Sequence, residues 1–239
     1  MITIVYGVKN VLTGRRKQPT LNSFRQTARL EGCEVIVSDY GSTDNIKQVC
    51  KDFGFKYYSV KTDPGVEFNQ SKVLNKGIYK AKKPYILTMG ADFIVSDTVP
   101  ALIGIGIEKY NCVALIPVFH WNQKEQELKL FKGEWKWCHA FSKKVGIEAG
   151  GYDERFVEWG HEDIDFVNRI SERCGVNGII LNDALMLHQW HGKEWADKHE
   201  LQEGGNPNLK YYEENRSNNS RNMVNSFWKI KKSIVKVKK

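Results

Sequence analysis

From residue 2 to residue 89 the chain alternates short β-branched runs with stretches of helical composition, and this rhythm limits the possible folds more than any other feature. Ile2 to Val8, Glu34 to Ser38, Phe55 to Val60 and Pro84 to Met89 read as strands; Ser23 to Glu31, Ile46 to Phe53 and Ser71 to Lys80 read as helices. Such alternation predicts an α/β fold, a mostly parallel sheet with helices on both faces. Ligands of these sheets bind at the carboxyl ends of the strands, so the polar residues just after each strand become the first site candidates. From about Asn111 the rhythm gives way to strands and loops rich in Trp, Phe and His, which predicts a smaller second sub-structure. A strand-like run GIILNDALMLH and a linker-like EENRSNNSRN follow, so the expected division is one domain over residues 1–214 and a polar linker with a basic tail over 215–239.

At 239 residues and 41% hydrophobic side chains the chain can bury a full core as one unit. No apolar run approaches the roughly 20 residues of a membrane-spanning helix, and MITIVYGVKN reads as a strand rather than a signal segment. The five cysteines have no CxxC spacing and an odd count, which points to a reducing compartment, the cytoplasm. The formal charge of +8 is concentrated: Arg221 to Lys239 holds seven Lys or Arg and no acid, leaving +1 for the rest. A near-neutral body argues against nucleic acid as a partner. The tail NSFWKIKKSIVKVKK alternates apolar residues with lysines; a frayed end, a packed helix and a peripheral contact with anionic membrane are its readings.

Four segments carry candidate chemistry. In VIVSDYGSTD a strand ends at Ser38 and Asp39, and Ser42, Thr43 or Asp44 can cap the helix starting near Ile46; Asp39 and Asp44 can equally be turn formers. In YILTMGADFIVS an apolar strand delivers Gly90, Ala91 and Asp92, an acid between apolar neighbours that is either a solvated turn aspartate or, if buried, in need of a cationic partner, a divalent metal being a natural one. In EAGGYDERFVEWGHEDIDFVNRI, Phe166, Ile170 and Cys174 mark the inward stripe of a helix opening at Glu162, and Asp163 sits above that stripe in the first turn. Such acids usually complement the helix dipole, but Gly150, Gly151, Trp159 and Gly160 build a tight loop and an aromatic wall beside them. In ALMLHQWHGK, His188 ends a strand and His191 follows three residues later, a spacing that can bring two imidazoles to one site. His120 and His139 read as structural.

Together these segments resemble the GT-A glycosyltransferases, particularly family 2 and relatives with the GGxDE…WGxED element of galactosyl- and N-acetylgalactosaminyltransferases, over roughly residues 2 to 192. The resemblance implies that Asp39 contacts the base of the nucleotide and that the FNQSKVLNKG helix, with Asn69, Lys72, Asn75 and Gly77, lies beside the donor. It places Asp92 in the DxD metal motif, with Gly90 where the first acid is expected, and makes His188 the further ligand of Mn²⁺ or Mg²⁺. It gives Glu162 an acceptor-binding role, with Trp159 as stacking wall, and makes Asp163 the catalytic base; His161 replaces a common Gly. The expected activity is transfer of a sugar from a nucleotide-sugar donor, UDP-linked, to an acceptor hydroxyl, as in polysaccharide biosynthesis. A sugar nucleotidyltransferase using Gly14, Arg15, Arg16 and Lys17 after the first strand, or a non-catalytic carbohydrate-binding module built on the tryptophans, are the competing readings.

Overall fold

The computed structural model describes residues 2–122, 127–130, 138–158, 160–181, 183–189, 191 and 207–215. Strands β1 (Ile2–Val8), β2 (Glu34–Asp39) and β3 (Lys56–Ser59) and helices α2 (Ile46–Asp52) and α3 (Gln70–Lys80) lie where the β-branched and helical runs predict them. Strand β4 (Tyr85–Met89) continues through a short turn into β5 (Phe93–Val95), and α4 (Val99–Tyr110) follows. One helix is displaced from its predicted place: α1 spans Lys17–Thr27 rather than starting at Ser23. Pro19 fits the first helical turn, where its missing N–H is not needed, and Gly32 in the left-handed region closes the turn that follows the helix.

After α4 come β6 (Val113–Leu115), β7 (Val118–Asn122), β8 (Glu127–Leu130), β9 (His139–Ser142), α5 (Lys143–Glu148) and α6 (Glu162–Cys174). The strand-like run at residues 178–188 is two strands, β10 (Gly178–Ile180) and β11 (Met186–His188), in different sheets. The linker-like EENRSNNSRN begins inside a helix, because α7 runs Pro207–Asn215.

The main sheet has the order β10-β6-β9-β4-β1-β2-β3, parallel except where β9 runs against β4 and β6. A smaller sheet, β5-β11-β7-β8, supplies the expected second sub-structure. Both faces of the main sheet are covered, as the continuous apolar strands require. Ile2, Ile4, Tyr6 and Val8 of β1 point to one side with Phe24 of α1 and Ile103 of α4. Val5 points to the other, with Leu74 and Ile78 of α3 and Phe166 and Ile170 of α6. Helix α3 lies so close to β1 that a Cβ on Gly77 would stand 2.2 Å from Val5 Cγ1. The cysteines are free thiols, and among the described residues no helix is long and apolar enough to cross a membrane.

Candidate active site

Strand β4 carries the chain from the core to Asp92, and the antiparallel pairing of β5 with β11 sets Phe93 opposite His188. Asp92 Oδ2 lies 3.5 Å from His188 Nε2 and 2.8 Å from His191 Nε2. Both histidines therefore reach the carboxylate, not His188 alone, and the three candidate ligand atoms lie within 4.8 Å of one another. Gln189 fixes the turn by donating to the Asp92 carbonyl from its backbone N at 3.0 Å and its Nε2 at 3.1 Å. Burial opposes ionisation of Asp92, but the hydrogen bonds and charges of the two imidazoles outweigh it and hold the carboxyl well below the usual carboxylate range. One carboxylate oxygen and two imidazole nitrogens form a donor set that fits a divalent first-row metal. Gly90 is a fitted position: a Cβ there would come 2.6 Å from Asp92 Oδ1 and 2.9 Å from the Phe93 ring.

The loops after β1 and β2 form the neighbouring wall. Asp39 is buried and accepts hydrogen bonds from Ser42 N (3.0 Å), Ser42 Oγ and Tyr57 OH (2.6 Å). Asp44 is a clasp, accepting from Leu12 N at 2.8 Å and from Ile46 N at 3.2 Å. Asn69 caps α3 by accepting from Lys72 N (2.9 Å) and donates to the Glu154 carbonyl (2.8 Å), so it ties the helix to the GGYDE turn. Lys72 Nζ is paired with Asp63 (2.5 Å), whose carboxylate also accepts from Tyr40 OH (3.0 Å). The sequence reading missed Asp63 and Tyr57; an acid one residue before Pro64-Gly65, just past a strand, was the available signal for the first.

On the other side of α3, Asn75 reads the backbone of the GGYDE turn, accepting from Tyr152 N (2.7 Å) and donating to Tyr152 O (2.9 Å). Arg169 holds the same turn from below, donating to Ala149 O (2.7 Å) and Gly151 O (2.6 Å), while its Nε pairs with buried Asp165 (2.8 Å). Asp165 thus belongs to the framework rather than to a solvated dipole cluster. Asp163 accepts at 2.7 Å from Ile164 N in the first turn of α6. Glu162 has a shielded Oε2 with no hydrogen-bond partner, and burial, then the charge of Asp163, pushes its carboxyl up to about 8. Of the tryptophans of the proposed stacking surface, Trp121 lies on β7, while Trp135, Trp137, Trp159, Trp190 and Trp195 lie outside the described residues, as does the tail. His139 stays structural, its imidazole driven down to about 3 by burial.

The two halves meet. Burial raises the Cys138 thiol, and the charges of both Asp92 and Asp163 act on it in the same direction. Tyr152 OH, which senses Asp163 and Glu162, hydrogen-bonds Thr88 Oγ1 of β4 at 3.1 Å. Asp92 of the metal-type cluster and Asp163 of α6 thus lie within electrostatic reach of the same buried thiol.

Comparison with known proteins bears on the family and the fold. The profile of glycosyl transferase family 2 matches residues 16–146, over half of the chain, and that of the N-terminal domain of galactosyltransferase matches residues 138–184. No curated sequence gives a significant match. Among solved structures, Staphylococcus aureus TarS 1-349 in complex with UDP-GlcNAc superposes with a TM-score of 0.64 at 14% identity, over 82% of this chain and 60% of that one. GalNAc-T7 with UDP, GalNAc and Mn²⁺ gives 0.58 at 15% identity, over 82% of this chain and 45% of that one. The chain thus spans less than two thirds of either neighbour, and likeness at this identity establishes the shared GT-A fold. With the profile match covering over half of the chain on that fold, the chain belongs to glycosyl transferase family 2.

Proposed function

We propose that the protein moves a sugar from a UDP-linked donor to a hydroxyl of a glycan acceptor, with Mn²⁺ or Mg²⁺ held by Asp92, His188 and His191. The observation that carries this reading is the Asp92–His188–His191 donor set, with Asp163 in electrostatic reach of the same buried thiol as Asp92. Neighbours solved with UDP-GlcNAc and with UDP, GalNAc and Mn²⁺ support the donor and metal class. When bound, the metal would supply Lewis-acid stabilisation of the leaving diphosphate.

The remaining work falls to the side chains. Asp39, at the end of β2, is positioned for the nucleotide base, while Asn69 and Lys72 shape the donor wall through their bonds to Glu154 and Asp63. Glu162, which retains its proton over most of the physiological range, can donate to one acceptor hydroxyl and orient it. Asp163, ionised at a helix N-terminus, takes the proton of the attacking hydroxyl as the new glycosidic bond forms. The basic tail adds a peripheral contact with anionic membrane on the cytoplasmic side.

The test is transfer from a panel of UDP-sugars in Mn²⁺, comparing the native chain with Asp163→Asn. Loss of the base should cut transfer by about 10²–10⁴-fold. Calorimetry should find donor binding within about threefold of native, since the ground state does not use the base. Substantial residual turnover removes Asp163 from the base role, and preferential binding of guanine or thymine nucleotides overturns the UDP assignment.

A further inference from the structure

The loop that leads into α6 has an unusual backbone. Glu158, Gly160 and His161 all adopt positive φ, at 62°, 98° and 69°, immediately before the two acids. A left-handed conformation costs a non-glycine residue about 1–2 kcal/mol, and it persists only where the surroundings over-determine it. Glu158 itself is held from the segment before α3, its N donating to Phe68 O at 2.8 Å, and its neighbours on either side are gripped by α7. Asn208 Oδ1 accepts from Val157 N (3.3 Å) and its Nδ2 donates to Val157 O (2.8 Å), so one amide grips both backbone groups next to Glu158. The Tyr212 ring stacks on His161, centroids 5.9 Å apart at 23°, and its hydroxyl accepts from Asn168 Nδ2 at 2.7 Å. Tyr211 donates to Asp153 Oδ2 (3.1 Å) and meets Phe156 edge-on at 4.9 Å. Every one of these partners of α7 lies between residues 153 and 168, the stretch that contains Glu162 and Asp163.

We infer that α7 is a strap that sets the acceptor side of the site, with Asn208 and Tyr212 as positioning residues for Glu162 and Asp163. The functional consequence rests on the proposed transferase reading. Donor binding, on the loops after β1 and β2 and at Asp92, touches none of these contacts. Release of the strap should therefore let the 157–163 backbone relax and misplace the acceptor, while the donor half stays intact.

The experiment uses the full chain with Asn208→Ala, Tyr212→Ala, the conservative Tyr212→Phe, and Lys210→Ala on the exposed face of α7 as control. Hydrogen exchange needs no substrate: amides of residues 157–165 should exchange at least about tenfold faster in the two strap variants, with the core amides unchanged. In kinetics with UDP-sugar and Mn²⁺, kcat/KM for transfer to a simple hexoside acceptor should fall about 10- to 100-fold, as expected for a displaced reactant. Donor binding measured by calorimetry should stay within about twofold, Tyr212→Phe should recover most of the transfer, and Lys210→Ala should match the native chain. Unchanged exchange overturns the strap, and loss of donor binding equal to the loss of transfer overturns its positioning role. If Tyr212→Ala does not fold, Asn208→Ala is read by the same criteria. A native chain that neither transfers nor hydrolyses any UDP-sugar would instead sink the transferase reading, with the exchange measurement still deciding the strap.

Discussion

Glu162 is subject to two unfavourable influences at once, burial and the neighbouring charge of Asp163, which together push its carboxyl up to about 8. Its folded pKa is raised, so the proton is retained in the native state over a range in which the unfolded chain has lost it. The stability this group contributes is fully present below its ordinary value near 4.5 and is lost as pH rises toward about 8. Glu162→Gln, which cannot ionise, should therefore raise Tm relative to the native chain at pH 8 and change it little at pH 4.5. A gain of about 1–3 kcal/mol at the higher pH is expected, about 2–4 °C for each kcal/mol. A Tm difference that is the same at both pH values would show that the carboxyl is not held protonated. The same glutamate shows what a sequence can and cannot reveal at this scale. Its place at the mouth of a helix was legible from the spacing of Phe166 and Ile170, but its protonation depends on how far it sinks beside Asp163, which spacing does not encode. His191 is a similar case: the interval from His188 hinted at a shared site, and the pairing of β5 with β11 decided that both rings meet Asp92.

At the scale of elements, the strands and most helices were legible because β-branched runs and helical stretches alternate without ambiguity. The two glycines at positions 77 and 104 show where pattern stops and packing begins, since both interrupt helices and read alike. In α3, a Cβ at Gly77 would press on Val5 at 2.2 Å, whereas in α4 a Cβ at Gly104 would meet no atom within 4 Å. Gly77→Ala should therefore push α3 off β1 and destabilise the fold by about 1–3 kcal/mol, the usual cost of overpacking. Gly104→Ala should stabilise it by about 0.5–1 kcal/mol through helix propensity alone. Combining Gly77→Ala with Val5→Ala should cost less than the two single changes added, because they act at one contact. Denaturant unfolding measures all four chains, and equal effects of the two glycine changes would refute the close approach of α3. The misplacement of α1 and the late start of the linker have a related origin: the sequence marks helix interiors better than ends, and α7 is held by side-chain bonds to residues 153–168 rather than by a strong apolar stripe of its own.

For the whole molecule, the strand ends of β1, β2 and β4 and the segment from α5 to α7 form two parts joined through α3 by Asn69 and Asn75, and the proposed transfer would divide donor and acceptor between them. The parallel sheet made the first part legible; the second was marked by one dense motif, and its supporting bonds span too much sequence to be read from spacing. Charge adds a third part, since the body is nearly neutral and the seven cations from Arg221 to Lys239 stand apart from it. If this tail meets anionic lipid, its lysines contribute about 1 kcal/mol each near the surface, and Phe227 and Trp228 add apolar contact. Such binding is screened within a Debye length of about 8–10 Å at physiological salt, so it should weaken steeply as salt rises. The full chain should pellet with phosphatidylglycerol vesicles at low salt, be released at high salt, and ignore phosphatidylcholine vesicles. A chain ending at Asn215 keeps all of α7 and should stay in the supernatant throughout. Because the two chains share the same site, they should turn over a soluble acceptor equally and differ only when the acceptor is presented on an anionic surface. Equal pelleting of both chains would assign the contact to the body or abolish it, and the tail would then have no part in bringing the enzyme to a membrane.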